Sequence, residues 1–506
     1  MQFLKINNAL ISVYDKSNII DFAKTLLSLN VKIFATEKTF NFLKNNNIDS
    51  INVNEIINFP PLFNGRIKSI HPSIVGGLLF MKDNEKHITE ANLHNIIPID
   101  LLYVDLYPFP EIIKMQSNEN EIIENIDVGG ITLLRAGAKN FKYVLVIPHK
   151  KYLNEIINLL ISQNGIVTYE QRKYFATKTF EITSMYDLTI YSYFSNIPQF
   201  ITNISPIQKL RYGENPHQQA WYIGNFDETL EKIHGKELSY NNILDIEAAL
   251  SLIKEFNEPT FVIIKHNNPC AVASGNDDPL VLWEKTTRCD PISIFGGIII
   301  TNIPISLDLI KEINKLYFEI LIAPNYEFDV KSFFENKPNR IVIRYKKLEK
   351  NNFNFRSCIN GLLLQTENNI LIDKEKLNIP TKNKELTNEE FEELLFAYKI
   401  VKHCKSNAIA ITKNKQLIGV GFGQASRVDA VKIAIEKLKF FNFDSSGAVL
   451  ASDGFFPFVD SIELAYNNNI KKIIQPGGSI NDKSIINYCN YRDITLVMTN
   501  VRHFKH

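Results

Sequence analysis

Short β-branched runs alternate with helical periods through the first third of the chain, and that alternation restricts the fold to a parallel α/β sheet. ALISVY (9–14) precedes IIDFAKTLLSL, for which Ser17 is the expected N-cap, and VKIFAT (31–36) precedes a second helical stretch. LLYVDLYPF (101–109) and YVLVIP (143–148) read as later strands, each stopped by a proline. Ligands of such sheets lie beyond the strand C-termini. From about 168 to 195 the pattern turns helical, and the Pro-punctuated NIPQFITNISPIQ (196–208) marks a boundary. FVIIK and GGIIIT, with the helical NEEFEELLFAYKIVKH (388–403), then predict a second α/β unit. NAIAITKNKQLIGVGFG predicts a hairpin turning at Lys413 to Lys415, and SRVDAVKIAIEKLKF a helix capped by Ser426, together a third layered lobe. No fixed-period repeat is present, which sets solenoids aside.

A length of 506 residues accommodates two to four domains. With 56 Lys plus Arg against 55 Asp plus Glu, the chain has no global charge for a nucleic-acid or membrane surface, so any anion site must be local. The apolar runs fall short of the roughly 18 residues of a spanning helix, and no basic segment followed by a long apolar one opens the chain, so cytoplasm is the expected location. Cys270, Cys289, Cys358, Cys404 and Cys489 form no CxxC pair, which argues against a disulfide framework or a Cys-rich zinc site.

Several segments concentrate chemistry. GRIKSIHP (65–72) groups Arg66, Lys68, Ser69 and His71, suited to a phosphate or a developing oxyanion, although a solvated basic loop has the same composition. NIDVGGITLLRAGAKN (125–140) sets Asp127 before a Gly pair that can open an anion-binding helix, with Lys139 about three turns on; Tyr107 adds a phenol. Lys265 and His266 follow a strand, where a chain turning at Asn267–Pro269 exposes both. The ammonium beside the imidazole then favours a proton acceptor near neutral pH, and a surface Lys-His pair is the plain alternative. RYGENPHQ contributes Arg211, Tyr212 and His217; SDGFFPF joins Asp453 to an aromatic run that can stack a heterocycle or fill a core; QPGGSIND reads as an anion nest or a turn. No P-loop occurs, and GVGFGQ has the wrong spacing for a dinucleotide fingerprint. NNPCAV lacks the other ligands of a zinc deaminase, so no catalytic metal is expected.

Taken in order, GRIKSIHP, DLYPF, NIDVGGITLLRAGAKN, RYGENPHQ, KHNNPC, KSNAIAI, IGVGFGQASR, SDGFFPF, QPGGSI and TNVRHF resemble the bifunctional purine-biosynthesis family that combines aminoimidazole carboxamide ribonucleotide (AICAR) formyltransferase with inosine monophosphate (IMP) cyclohydrolase. The likeness spans nearly the whole chain. It implies a methylglyoxal-synthase-like parallel α/β cyclohydrolase domain over 1–200 and a formyltransferase domain over 201–506 built of two cytidine-deaminase-like α/β lobes. It also implies 10-formyltetrahydrofolate as co-substrate, no catalytic metal and a homodimer. By the resemblance His266 shuttles the proton of the attacking amine and Lys265 stabilises the formyl oxygen, with Asn407 and Asp453 orienting them. Arg211, Tyr212, His217, Asn242, Gly296, Lys337 and Arg502 hold the nucleotide, and Phe455, Phe456, Pro457 and Phe458 lie where folate enters. Lys68, Tyr107, Asp127 and Lys139 match the cyclohydrolase positions, while Lys16, Thr36, Thr39, Arg66, Ser69, Gly129 and Gly130 match the monophosphate site.

The chain departs from the family at Thr36-Glu37-Lys38-Thr39, where two glycines are usual, at Tyr14, where a small hydroxyl residue is usual, and at Asp105, where Asn is usual. Glu37 brings like charge toward a phosphate, so the expectation is a cyclohydrolase weakened in affinity with its catalytic set intact. A non-catalytic nucleotide-binding protein and a nucleobase deaminase are the competing readings.

Overall fold

The computed structural model describes residues 2–57, 70–115, 118–195, 207–346, 353–370, 372 and 374–506. Two compact units, Met1–Ser205 and Pro206–His506, divide within the Pro-punctuated stretch.

In the first unit, β1 (Asn8–Val13), β2 (Lys32–Ala35), β3 (Ile51–Asn52), β4 (Leu101–Asp105) and β5 (Leu145–Ile147) form a parallel sheet in the order β3-β2-β1-β4-β5. Side chains alternate across a strand, so Ala9, Ile11 and Val13 enter one core with Phe22 and Leu26 of α1 (Ile19–Ser28). Leu10 enters the opposite core with Leu133 and Leu134. Both faces are covered, which is why these strands read as near-continuous apolar runs. α2 (Glu37–Asn45) follows β2, and α3 (Gly129–Lys139) contributes Leu133 and Leu134. The cap position falls one residue later than Ser17, at Asn18 with φ 63°, which makes no side-chain cap bond; the Ser17 N–H donates to Asp15 Oδ1 at 2.8 Å. LLYVDLYPF is likewise strand only to Asp105; Pro108 opens a helical turn, its carbonyl accepting the Ile112 N–H at 3.1 Å.

The second unit is organised on one eleven-stranded sheet. Its strands are β6 (Leu230–His234), β7 (Thr260–Lys265), β8 (Asn268–Ser274), β9 (Ile298–Thr301), β10 (Ile320–Ala323), β11 (Ile341–Tyr345), β12 (Ile409–Lys413), β13 (Gln416–Gly421), β14 (Val449–Ser452), β15 (Lys472–Gln475) and β16 (Thr495–Met498). The order is β6-β11-β10-β9-β7-β8-β13-β12-β14-β15-β16. The helices that matter below are α4 (Tyr240–Ile253), α5 (Asn388–Lys402) and α6 (Arg427–Phe440), the last capped by Ser426 as the sequence predicts.

One topology occurs twice in this sheet. A hairpin (β7–β8, β12–β13) lies beside an antiparallel strand (β9, β14), and two parallel strands follow (β10 and β11, β15 and β16). The halves meet where β8 pairs with β13 at Ala273 and Gln416. The two lobes expected from the sequence therefore share a single sheet, each covering an edge the other would leave open. No helix among the described residues is long and apolar enough to cross a membrane.

Candidate functional site

β7 ends at Lys265, and His266 and Asn267 have φ of 52° and 63°, the left-handed pair of a two-residue hairpin turn, before β8 starts at Asn268. The chain thus turns one residue earlier than NNP suggests, leaving His266 exposed at the tip. Antiparallel pairing carries this end of β7 to the start of β9, the end of β13, the start of β12 and the end of β14. Lys265, His266, Gly296, Asn407 and Asp453 consequently line one edge of the sheet. The parallel strands bring the 337–340 turn before β11, with Lys337, and the segment after β16, with Arg502, to the same edge. Lys265 donates from Nζ to the Phe295 carbonyl at 2.8 Å, beside Gly296, whose φ of 74° suits glycine.

A buried polar network backs this edge. Asp453, 0% exposed, accepts Ser406 Oγ at 2.5 Å and the Ala408 N–H at 3.1 Å, and it pairs with Arg427 of α6. Arg427 Nη2 donates to Asn407 Oδ1 at 2.7 Å, while Asn407 Nδ2 donates to the Gln424 carbonyl at 2.9 Å. A Cβ on Gly454 would lie 2.5 Å from Arg427 Nη2, so only glycine lets the guanidinium in. Full burial makes Asp453 an anchor that orients Asn407 through Arg427.

Asn242 occupies the third position of α4 and closes a capping box with Ser239; its Oδ1 accepts the Ser239 N–H at 3.0 Å and Arg211 Nη2 at 3.3 Å. Arg211 lies over the Tyr212 ring at 5.3 Å, and His217 is exposed on the same loop. Phe455 and Phe458 are exposed, and Pro457 accepts Asn481 Nδ2 at 2.7 Å through its carbonyl. Phe456 is a correction: at 0% exposure it is a core side chain and offers no stacking face. The nest read into QPGGSIND is taken by the chain itself, the Gly478 N–H donating to Asp482 Oδ2 at 2.7 Å.

In the first unit, the C-terminal ends of β1, β2, β4 and β5 bring together Lys16, Thr36, Tyr107 and His149. The Tyr14 ring meets that of Tyr107 edge-on at 5.1 Å. Burial, then the charges of Asp127 and Tyr14, push the Tyr107 phenol up, so it is a neutral donor at pH 7. Asp127 is held beneath it: its backbone N–H donates to Tyr186 Oη at 2.7 Å, and its Oδ1 accepts the Gly130 N–H at 2.6 Å. A Cβ on Gly130 would lie 2.6 Å from Asp127 Oδ2, which requires glycine there; Gly129 opens α3 beside it.

Two expectations are corrected here. Lys139 is the last residue of α3, and ten rises of helix put it about 15 Å from Gly129, at the end away from Asp127. Thr39 is buried, with Oγ1 accepting the Val13 N–H at 3.3 Å, so no phosphate reaches it; Thr36 donates to Ser12 Oγ at 3.1 Å. Arg66, Lys68 and Ser69 lie outside the described residues.

The sequence reading missed Arg427, Asp245, Asn268 and the pair Asp105–His149. Burial raises the Asp105 carboxyl and lowers the His149 imidazole, and each opposes the other's shift. Asp105 Oδ2 also accepts the Asp15 N–H at 3.3 Å, and the Lys150 ammonium holds Asp15 well below the usual carboxylate range. The findable signal was IPHKK directly after β5, at the sheet edge where ligands bind. Burial pushes the Asp245 carboxyl up, and the Asn267 N–H and then His266 pull it back down.

The family model described as AICARFT/IMPCHase bienzyme matches residues 137–437, and the MGS-like domain model matches 18–132. The chain is 45% identical to a "Bifunctional purine biosynthesis protein PurH" of Caldicellulosiruptor saccharolyticus, over 98% of this chain and 99% of that protein. It is 42% identical to the protein of the same name from Bacteroides thetaiotaomicron, over 99% of each.

Proposed function

The chain belongs to the AICARFT/IMPCHase bienzyme family, and from that premise we propose how its residues divide the work of AICAR formyltransferase and IMP cyclohydrolase. The enzyme performs the two closing reactions of IMP synthesis: it formylates AICAR and cyclises the product with loss of water. We assign formyl transfer to residues 201–506 and cyclisation to 1–200.

In transfer, the exocyclic amine of AICAR attacks the formyl carbon of 10-formyltetrahydrofolate. That amine is conjugated to a carboxamide-bearing ring and is a poor nucleophile, so proton removal and oxyanion stabilisation are the contributions it most needs. His266 takes the amine proton, and Lys265 stabilises the oxygen of the tetrahedral species. The C–N bond to folate then breaks and the proton passes to the departing nitrogen. Asn407, held by Arg427 and Asp453, orients the reactants. Arg211, Tyr212, His217, Asn242, Gly296, Lys337 and Arg502 hold the nucleotide, and Phe455, Pro457 and Phe458 border the folate. The observation that carries the reading is the convergence of the Lys265–His266 turn and the Asn407–Arg427–Asp453 network on one sheet edge.

In cyclisation, the carboxamide nitrogen attacks the formyl carbon. Asp127 takes one proton of the attacking nitrogen while neutral Tyr107 protonates the formyl oxygen. The resulting hydroxyl leaves as water with the proton held on Asp127, and the formamide nitrogen returns its proton to Tyr107 as the C=N bond forms, with Lys68 completing the set. Lys16, Thr36, Arg66, Ser69 and the amides at Gly129 and Gly130 take the monophosphate. The enzyme works in the cytoplasm as a homodimer, which gel filtration tests.

A two-step assay with AICAR and 10-formyltetrahydrofolate distinguishes the assignments. His266→Ala abolishes tetrahydrofolate release and leaves cyclisation of supplied formyl-AICAR intact; Asp127→Asn does the reverse. Loss of the same step in both variants overturns the two-site assignment.

A further inference from the structure

His266 acquires positive charge when it takes the amine proton, and no sequence motif marks what balances that charge. Asp245 lies on α4 three residues after Asn242, a spacing that puts both on adjoining positions of one helix face. Its Oδ1 accepts the Asn267 N–H at 2.6 Å, so the carboxylate grips the turn that displays His266. From the other side Asn268 donates Nδ2 to the His266 carbonyl and accepts the Lys405 N–H through Oδ1, both at 2.9 Å, which ties the turn to the loop carrying Asn407. One helix thus spaces the Arg211–Asn242 pair from the turn, and a second clamp spaces the turn from Asn407.

The charges around Asp245 agree with that geometry. Burial pushes its carboxyl up, the Asn267 N–H and then His266 pull it down, and Glu319, before β10, pushes it up. The Lys265 ammonium is engaged with the Phe295 carbonyl. A carboxylate near an imidazole stabilises the imidazolium by Coulomb attraction.

We infer that Asp245 is a positioning residue for formyl transfer: it fixes the His266–Asn267 turn through the Asn267 N–H and sets a carboxylate against the imidazolium formed as the amine is deprotonated. This rests on His266 as the proton acceptor. The proton moves from the amine nitrogen to the imidazole and then to the departing folate nitrogen; none is transferred to Asp245, which contributes charge and a hydrogen-bond acceptor only.

The test is steady-state formyl transfer by the full-length enzyme with Asp245→Asn, Asp245→Glu, Asp245→Ala and His266→Ala. Asparagine keeps an acceptor for the Asn267 N–H and loses the charge, so kcat falls roughly tenfold while KM for AICAR stays within about twofold. Glutamate keeps the charge and exceeds asparagine in kcat; alanine loses both functions and falls below asparagine. Wild-type kcat in Asp245→Asn with His266→Ala inactive overturns the role of Asp245 and leaves the acceptor assignment standing. A KM increase without a kcat loss, or Asp245→Glu no better than Asp245→Asn, overturns it as well. Activity in His266→Ala overturns the acceptor assignment itself.

Discussion

His503 shows how a single buried group makes the second unit sensitive to acid. It is 1% exposed, its Nδ1 lies 3.0 Å from Asn368 Nδ2, and its backbone N–H donates to the Asp453 carbonyl at 3.0 Å. Burial, then Lys402, lower its pKa from 6.5 to about 4. The fold therefore favours the neutral ring. That stability is complete above pH 6.5, is lost as pH falls toward 4, and amounts to roughly 3 kcal/mol. Thermal unfolding between pH 7 and pH 4 should show the slope, and His503→Gln should flatten it. At this scale the sequence displayed the chemistry at element ends well: Lys265, His266, Tyr107 and Asp127 all sit beside turns or glycines that flag a strand or helix end. Arg427, the first residue of α6, and Asp245, inside α4, were not legible because their roles come from what a distant segment brings against them.

Among the elements, the β7–β8 hairpin depends most on its turn. Asn267 at φ 63° occupies a region that Gly and Asn adopt readily and β-branched residues do not. Asn267→Gly should leave stability within about 0.5 kcal/mol, whereas Asn267→Val should cost roughly 1–2 kcal/mol in urea unfolding and lower formyl transfer by displacing His266. The hairpin predicted at Lys413 to Lys415 has the same form, with Asn414 and Lys415 at φ 51° and 53°. Sequence revealed this second turn because its flanking runs are apolar and its centre polar. The first was misplaced by one residue because Pro269 drew the turn toward itself, whereas Pro269 is already paired with Ile264 in the strand. α3 shows the opposite failure: motif order grouped Lys139 with Asp127, and the length of the helix separates them, Lys139 being its last residue.

For the molecule as a whole, the parallel sheet of the first unit was readable from its alternating apolar runs, whereas the two lobes of the second were expected from the family resemblance and not from any internal repeat. FVIIKHNNPCAVAS and AIAITKNKQLIGVG share a pattern of pairing and almost no residues, so no period betrays it. The proposed assignment of the two sites to separate units predicts complementation: a mixture of His266→Ala and Asp127→Asn enzymes should form IMP from AICAR, the intermediate diffusing from one to the other, and absence of IMP would count against it. The shared sheet has a consequence for truncation too. In the proposed assignment one half supplies His266 and the other Asn407 and Asp453, and the two are joined where Ala273 pairs with Gln416, so a fragment holding either half alone should show no formyl transfer.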